Sequence, residues 1–332
     1  MNLKDIAKAA GVSTATVSRV LSGKDNVRAD TRKRILEVVD RMNYRPNRAA
    51  RSLRSRRSSF IGLIVADIQS PFFASLSRGV EDIAQKNDYS VILCNTDENP
   101  KKERMYLDMM QGENAAGVVV APTLRLSKTI TRSVADSCAT VVIDRRVQGV
   151  DVDMVLIDNV TAAHDLTAHM LGHGYTRLAG LFGESSSTGL ERRAGFEQAL
   201  QDAGMPSDEQ LVLHLPARED AAHEAVSRFL ELDNPPEAVI TSNGMLAAGA
   251  FRALRDREIS VPEEVAFATF DETPWTAMIR PSVTVVRQPA YALGQTAAEM
   301  LFKRIADPER PTRQVVLSSE LVIRQSCGNH KE

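Results

Sequence analysis

The sequence predicts an α/β protein: a small all-helical N-terminal domain followed by a larger body of two lobes, each built on a parallel β-sheet. The chain has 332 residues, which is too long for one ordinary core. Over residues 1–46 the apolar side chains recur with helical spacing. From Phe60 onward, short β-branched runs alternate with helical patterns, and this alternation restarts once near residue 160.

Charge is divided unevenly along the chain. Residues 1–58 carry 15 Lys and Arg against 5 Asp and Glu, a net charge of +10, whereas the remaining residues carry a net charge of −12. A basic end on an acidic body is typical of a protein that meets nucleic-acid phosphates at one end. From charge alone, a solvated basic tail is the alternative.

The first 46 residues predict three short helices around one core. Leu3 to Ala10 carry one apolar stripe, which ends at Gly11. Ser13 is the predicted N-cap of the second helix, and the third helix begins near Asp30. The predicted inward side chains of the second and third helices are Val17, Val20, Leu21, Ile35, Val38, Val39 and Met42.

The outward face of the second helix carries small residues and one arginine. These are Thr14, Ala15, Ser18 and Arg19. Small side chains allow a helix to sit deep in the major groove, where an arginine can donate two hydrogen bonds to guanine. We therefore expect a helix-turn-helix in which Arg19 reads a base, the alternative being a three-helix cap whose polar face only meets solvent.

Two stretches of this head, AGVSTATVSRVLSG and VRADTRKRILEVVDRMNYRPNRAARSLRS, closely resemble the DNA-binding region of the lac repressor and galactose repressor family of bacterial regulators. Looser similarity continues through IGLIVADIQSPFF, GVVVAP, IDN, RRAGF, VPEEVAFATFD and PSVTVVRQPAYALGQTAAEML. The resemblance implies a transcription regulator, expected to be a repressor, that binds double-stranded, pseudo-palindromic operator DNA as a homodimer. It also implies control by a small-molecule effector, and Asn26 joins the expected DNA contacts.

Residues 47–58 are predicted to form a hinge helix and linker. An eight-residue helix is too short to be stable alone in water, so we expect it to order only against a partner. Asn47 lies at its start, and Ala50 and Leu53 share one face. The resemblance implies that all three contact DNA and that Leu53 wedges between base pairs in the minor groove. A flexible linker rich in Arg and Ser is the alternative.

Residues 59–332 are predicted to form the effector-binding and dimerisation body. Its N-lobe covers about 59–159 and 290–320, and its C-lobe covers about 160–289 and 321–332. Strands are predicted at FIGLIVAD, YSVILCN, AGVVVAP, TVVID, VLIDN, RLAGLFG, LVLHL, AVITSN and VAFATFD. Helices are predicted over 72–87, around Met105, and over 161–171, 190–203, 221–232 and 245–257. The resemblance implies a fold similar to periplasmic sugar-binding proteins.

The cleft between two such lobes faces the carboxyl ends of the strands, where ligands bind. Polar or aromatic residues near strand ends, some matched through the family's motifs, give the effector-binding candidates: Phe72, Phe73, Arg145, Asp158, Arg192, Asn243 and Asp271. Two arginines in one cleft favour a sugar acid or sugar phosphate. A neutral sugar and a purine-like ligand stay open, and Arg145 has the alternative of pairing with an acidic neighbour.

Two positions of the cleft depart from the family's pattern. Gly244 stands where relatives carry an aspartate, and Ala217 stands where many carry an aromatic residue that stacks on the ligand. Effector identity therefore does not transfer from the resemblance.

Enzyme motifs are missing from the chain: we find no GxGxxG after a strand, no GxxxxGK[ST] and no GxSxG. We expect no enzyme activity, cofactor or bound metal. His169 and His173 have an i, i+4 spacing that zinc can use, with His164 nearby, but a polar cluster at a helix end is the favoured interpretation. The cysteines Cys94, Cys138 and Cys327 are odd in number and far apart, which favours reduced thiols.

Two non-enzyme alternatives share parts of this description. A solute-binding protein for transport shares the two-lobed body but requires export, and the polar N-terminus does not resemble a secretory signal. An architectural DNA binder would ignore metabolites. We expect a cytoplasmic homodimer without membrane contact, whose dimer surface includes the helix after Ser70 and residues 290–305.

Overall fold

The computed structural model describes residues 3–21, 27–42, 58–124 and 138–328 of the chain. Its internal contacts divide the protein into two compact units, residues 1–58 and residues 59–332. In the described residues, no helix is both long enough and apolar enough to cross a lipid bilayer.

The first unit is a three-helix domain. Its helices are α1 (Leu3–Ala10), α2 (Thr14–Leu21) and α3 (Ala29–Arg41). Gly11 adopts a φ of 63°, and the amide of Val12 donates to the carbonyl of Ala7, so the chain leaves α1 in a tight turn. Ser13 Oγ accepts a hydrogen bond from the amide of Thr16 at 3.2 Å, which caps α2 as predicted.

One small apolar core joins the three helices of this unit. It consists of Ile6, Ala7, Ala10, Val17, Val20, Ile35 and Val38. Each helix is only 8 to 13 residues long, so this shared core rather than intrinsic propensity stabilises them.

The second unit contains two six-stranded sheets flanked by helices. The first sheet has the strand order β11-β5-β4-β3-β1-β2, and the second has the order β12-β10-β9-β8-β6-β7. The strands are β1 (Phe60–Val65), β2 (Ser90–Asn95), β3 (Gly117–Val120), β4 (Ala139–Ile143), β5 (Asp153–Ile157), β6 (Leu178–Gly183), β7 (Val212–Leu215), β8 (Ala238–Thr241), β9 (Ala266–Phe270), β10 (Thr284–Arg287), β11 (Gln314–Leu317) and β12 (Glu320–Val322). Neighbouring strands pair in parallel except β10 and β12, which are antiparallel.

Helices connect the parallel strands, as the alternation in the sequence predicts. They are α4 (Pro71–Lys86), α5 (Pro100–Gly112), α6 (Asn159–Gly172), α7 (Ser187–Asp202), α8 (Glu219–Phe229), α9 (Gly244–Asp256), α10 (Pro274–Met278) and α11 (Ala290–Ala306). The chain passes between the two sheets three times: from β5 to α6, from β10 to α11, and from β11 to β12. The predicted α/β class with two parallel-sheet lobes is confirmed.

Several helices of the body begin one to three residues before their predicted starts. The side chains of Asp158, Ser186 and Asn243 accept hydrogen bonds from the first-turn amides of α6, α7 and α9. An apolar pattern marks the buried face, which begins after such a cap, so periodicity alone places the start too late.

Helices α4 and α11 pack against each other within the N-lobe. A Cβ on Gly79 would lie 2.2 Å from the carbonyl oxygen of Tyr291, and a Cβ on Gly294 would lie 2.0 Å from that of Leu76. The two backbones therefore touch, and the apolar faces of both helices lie in the lobe's core. The contact buries one face of each helix and leaves others, including Tyr291 of α11, exposed. That a dimer surface includes these two helices stays a prediction.

Candidate functional site

A cleft that encloses about 620 Å³ of space, part of it open to solvent, lies between the two lobes of the body. Small molecules bind preferentially in clefts between lobes or domains. The N-lobe contributes Asp67, Ser70, Phe72, Phe73, Glu98, Asp144 and Arg145. The C-lobe and its junction contribute Gly183, Ser185, Ser186, Thr188, Gly189, Arg192, Ala217, Ser242, Asn243, Met245, Asp271 and Gln288. Hydroxyls, carboxylates and two aromatic rings therefore face one space.

Phe72 and Phe73 form the apolar wall of the cavity. They lie in the first turn of α4, directly after Pro71 begins the helix. Their ring centroids are 5.1 Å apart at an interplanar angle of 76°, an edge-to-face contact that fixes both rings. Each side chain is less than one-tenth exposed, so a ligand in the cavity meets the rings on a preformed surface.

Arg192 is a buried cation held from three sides. It lies on α7, its Nε donates to Asn159 Oδ1 at 2.8 Å, and its Nη1 donates to the carbonyl oxygen of Ser242 at 2.5 Å. The guanidinium carbon lies 4.2 Å from the ring centroid of Phe270. Burial lowers the pKa of Arg192, and the nearby carboxylates oppose that effect. These three contacts fix the position of the guanidinium before a ligand binds.

Arg145 is paired inside the protein. Its Nη1 donates to Glu98 Oε2 at 2.8 Å and to the carbonyl oxygen of Pro122 at 3.0 Å, and its Nη2 donates to Glu98 Oε1. This fork-to-fork pair uses the geometry that would otherwise bind a ligand carboxylate. The acidic-neighbour alternative from the sequence therefore describes Arg145 correctly, although its side chain lines the cavity.

Asp144 and Asp271 occupy matching positions in the two lobes. Each residue directly follows a strand, β4 or β9, and each adopts a left-handed backbone, with φ values of 68° and 72°. Such backbone angles are uncommon outside glycine and recur at functional sites. Asp271 accepts from the amide of Gly244 at 3.0 Å and from the side chain of Gln288 at 2.5 Å.

Asp144 has a different environment from Asp271. Burial raises the pKa of Asp144 to about 6, while the cations of Arg145 and Arg192 oppose that rise. Its nearest cationic nitrogen is Arg145 Nε, at 3.6 Å, which is beyond hydrogen-bonding distance. The Asp144 carboxyl therefore retains capacity to bond to a ligand.

The second candidate site of the protein is the outward face of α2, in the first unit. Thr14, Ala15 and Arg19 are exposed and Ser18 is half-buried, while Val17 and Val20 of the same helix lie in the core. The predicted outward face is therefore the face that the structure exposes. Asn26, Asn47, Ala50 and Leu53 lie outside the described residues.

Comparison with known families follows the same two-part division of the chain. Residues 58–325 match the family described as "Periplasmic binding proteins and sugar binding domain of LacI family", and residues 2–47 match "Bacterial regulatory proteins, lacI family". The chain belongs to the lacI family. It is a helix-turn-helix transcription regulator with a sugar-binding type of body.

Individual relatives of this lacI-family chain align over almost their whole length. The HTH-type transcriptional regulator RegA of Clostridium saccharobutylicum is 32% identical over 98% of both chains. A solved transcriptional regulator CelR–cellobiose complex is 26% identical, with a TM-score of 0.71 and coverage of 98% and 99%. A lac repressor dimer bound to operator and an anti-inducer superposes with a TM-score of 0.89 at 20% identity, covering 99% of both chains, and shows the shared fold.

The regulator's cleft brings together six of the seven predicted effector residues. Asp158 is the exception: it is exposed, and its carboxylate accepts from the amide and hydroxyl of Thr161 at 3.0 and 2.8 Å. It caps α6 and does not line the cavity, so its predicted effector role is not supported by its position. Asn243 also caps its helix, α9, but lines the cavity as well.

Sequence reasoning missed several cavity residues in this lacI-family body. Glu98, Ser186, Thr188 and Ser242 line the space but were not among the candidates. Ser242 directly follows β8, and Glu98 lies three residues after β2. Counting every polar residue within three positions of a strand's end as a candidate would have included both. Ser186 and Thr188 lie at the start of α7, where helix-start signals point to them.

Proposed function

We propose that this regulator is a cytoplasmic repressor whose operator affinity is set by an uncharged, hydroxyl-rich ligand, a sugar or sugar alcohol, bound between the lobes. The observation that carries the choice of ligand is the pairing of Arg145 with Glu98. It removes one of the two cations that favoured a sugar acid or sugar phosphate. The remaining charged side chains that line the cavity are then the cation of Arg192 and the carboxylates of Asp67, Asp144 and Asp271.

A cavity with more carboxylates than cations repels an anionic ligand but suits a polyol. Each sugar hydroxyl can donate to a carboxylate and accept from an arginine, and the rings of Phe72 and Phe73 cover the apolar face of a sugar. The solved CelR relative, which is described as a complex with cellobiose, supports a sugar in this class of cleft.

A panel of small ligands tests this choice of effector. The full-length protein is heated with neutral sugars, sugar alcohols, sugar acids and sugar phosphates, and its melting temperature is recorded. We expect a rise with at least one neutral compound and none with the acids. A rise confined to the acids or phosphates contradicts the proposal. Arg192→Met is the matched variant, since it keeps an unbranched apolar stem and removes the cation, and it should abolish the rise.

The operator-binding surface is proposed to be the outward face of α2. Arg19 donates to a base edge in the major groove, while Thr14, Ala15 and Ser18 allow close approach. Asn26 and the segment carrying Asn47, Ala50 and Leu53 are proposed as further DNA contacts. A two-fold dimer of such units reads a pseudo-palindrome.

Self-association is proposed through an apolar surface of the N-lobe, which we call the β2–α5 face. It consists of Ile92 and Leu93 on the edge strand β2, and Met105 and Met109 on the adjacent helix α5. Leu93 is 48% exposed and Met105 is 53% exposed. An exposed apolar edge is an aggregation hazard unless a partner covers it. A second copy of the chain is the proposed partner, as in the relative whose structure is described as a lac repressor dimer.

Control by the ligand is proposed to act through closure of the lobes. Polar contacts between described residues cross the cleft. The amide of Leu124 donates to the carbonyl oxygen of Ser185 at 3.3 Å, and Arg146 Nε lies 3.7 Å from Glu191 Oε1. A ligand that binds one degree of closure better than another shifts the population between them. The paired segments 47–58 of a dimer would transmit this shift to the operator.

A further inference from the structure

Two imidazoles and one thiol meet at the C-terminal end of α6, away from the ligand cleft. His169 lies in the last turn of α6 and His173 is its C-cap residue, so both project from one face of the helix. Cys327 ends the 3₁₀ turn Gln325–Cys327. One ligand atom from each of the three residues lies within 4.8 Å of the other two, and His169 Nε2 is 3.2 Å from Cys327 Sγ.

The thiol of this cluster has a fixed position. Cys327 is fully buried, and its Sγ lies 3.0 Å from Thr284 Oγ1 at the start of β10. Its carbonyl oxygen accepts a hydrogen bond from the hydroxyl of Tyr175 at 3.2 Å. The 3₁₀ turn is therefore held on both sides, and the sulfur is placed before any ligand binds.

The backbone next to Cys327 approaches the imidazoles closely. Gly328 adopts a φ of 104°, and a Cβ there would lie 3.1 Å from the hydroxyl oxygen of Tyr175 and 3.6 Å from His173 Nδ1. A side chain at this position would be strained and would crowd the cluster. The glycine keeps the space beside His173 open.

The donor set matches one kind of metal. Two imidazole nitrogens and one thiolate are borderline to soft ligands, which suit zinc and not magnesium or calcium. Bond lengths of about 2.0 to 2.3 Å put the donors of a tetrahedral zinc site roughly 3.3 to 3.8 Å apart. His169 Nε2 and Cys327 Sγ, at 3.2 Å, are slightly closer than this separation. Both histidines are half-buried, so small side-chain rotations can adjust this pair and bring in the third donor.

We propose that His169, His173 and Cys327 bind one zinc ion per chain, with water as the fourth ligand on the solvent side of the two imidazoles. The ion replaces the thiol proton, which leaves to solvent. It joins the end of α6 to the turn after β12. Thr284 begins β10 and the ligand cleft lies beyond the other end of that strand, so the site is structural and separate from effector binding.

The test uses the reduced, metal-free full-length protein titrated with Co²⁺ and, in equilibrium dialysis, with Zn²⁺. We expect one ion per chain, a Kd for Zn²⁺ below about 1 µM, and the visible bands and thiolate charge-transfer band of tetrahedral cobalt. At 100 µM Zn²⁺, binding of this strength should raise the melting temperature by roughly 5 °C.

Matched variants assign the site. Cys327→Ser and His173→Gln should each weaken binding at least tenfold, and Cys327→Ser should remove the thiolate band. Cys138→Ser and His223→Gln change a thiol and an imidazole elsewhere and should bind as the wild type does. If Cys327→Ser does not fold, His169→Gln replaces it in the test.

The proposal is overturned by any of three results. One is the absence of stoichiometric binding in the wild type, and another is cobalt bound without a thiolate band. The third is a folded variant, either Cys327→Ser or His173→Gln, that binds zinc as tightly as the wild type.

Discussion

Replacing Asp144 with asparagine measures what the cleft's buried carboxylate costs the folded protein. Asp144 is only 6% exposed, and its burial raises its pKa from 3.8 to about 6. At about 1.36 kcal/mol per pH unit, this difference corresponds to about 3 kcal/mol. Asparagine has nearly the same shape, carries no charge and tolerates the left-handed backbone found here.

The sign of the pH dependence follows from the raised pKa of Asp144. Below about pH 4 the carboxyl is protonated in both the folded and the unfolded chain, so its contribution to stability is fully present. As pH rises from 4 through 6, the unfolded chain loses the proton first, and the folded state loses up to about 3 kcal/mol. Asp144→Asn should therefore be more stable than the wild type at pH 8 and nearly equal to it at pH 4.

Urea unfolding at both pH values measures this difference in the free energy of unfolding. The transition is monitored by circular dichroism and by the fluorescence of the single tryptophan, Trp275. Asp88→Asn is the matched control: Asp88 has a left-handed φ of 61° but is exposed, so its change should leave stability within about 0.5 kcal/mol at either pH. The reasoning is refuted if Asp144→Asn is no more stable than the wild type at pH 8, or if its advantage does not depend on pH.

Three further variants test the DNA-binding face, the cleft wall and the dimer surface. Arg19→Lys keeps the charge but loses the forked donor, so specific operator affinity in an anisotropy titration should fall about tenfold or more while non-specific affinity changes little. Gly189→Ala should lower the free energy of unfolding by about 1 to 3 kcal/mol in urea, because its Cβ would lie 2.0 Å from the carbonyl oxygen of Gly183. Leu93→Asp should convert the dimer to monomer in analytical ultracentrifugation, since it places a charge in the proposed β2–α5 face.

The first two of these variants each have a control that makes the same chemical change elsewhere. Arg34→Lys, on the exposed side of α3, should leave operator specificity unchanged. Gly172→Ala meets no atom within 4 Å and should not destabilise the protein. Equal losses of specific and non-specific binding for Arg19→Lys, a stable Gly189→Ala, or a Leu93→Asp that stays dimeric would contradict the corresponding assignment.

The architecture was predictable because it rests on patterns that run along the chain. Alternation of β-branched runs and helical stripes marks parallel strands and their crossover helices, and the restart near residue 160 marks the second lobe. The turn at Gly11 and the cap at Ser13 are local as well, so the structure contains both as predicted. Helix starts were less predictable, because the capping side chain precedes the apolar pattern.

The cleft was only partly predictable, because its chemistry depends on long-range pairs. Polar residues at strand ends led to Asn243 and Asp271, and the family's motif led to Arg192. Asp158 shows that a polar residue at a strand end can instead be a helix cap. Arg145 meets its partner Glu98 across 47 positions of the sequence, so its neutralisation had no local signal. The same holds for the α4–α11 contact, in which the hydroxyl of Tyr291 donates to Asp82 across 209 positions of the sequence.

Distance along the chain also explains the cluster on α6. The spacing of His169 and His173 was visible, but His164 pairs with Asp165 and Asp202 instead of joining them. The third member, Cys327, is 158 positions away from His169. Sequence spacing therefore gave two of the three members of the cluster, and the fold supplied the third.

The most direct test of the central claim is the operator affinity of the wild type and Arg192→Met, measured while the neutral ligand that raises the melting temperature is titrated. If binding between the lobes controls the DNA-binding head, the ligand should change operator Kd by about 5- to 150-fold in the wild type and leave Arg192→Met unchanged. A ligand that stabilises the wild type without changing its operator Kd, or that shifts Kd equally in both proteins, would contradict control through this cleft.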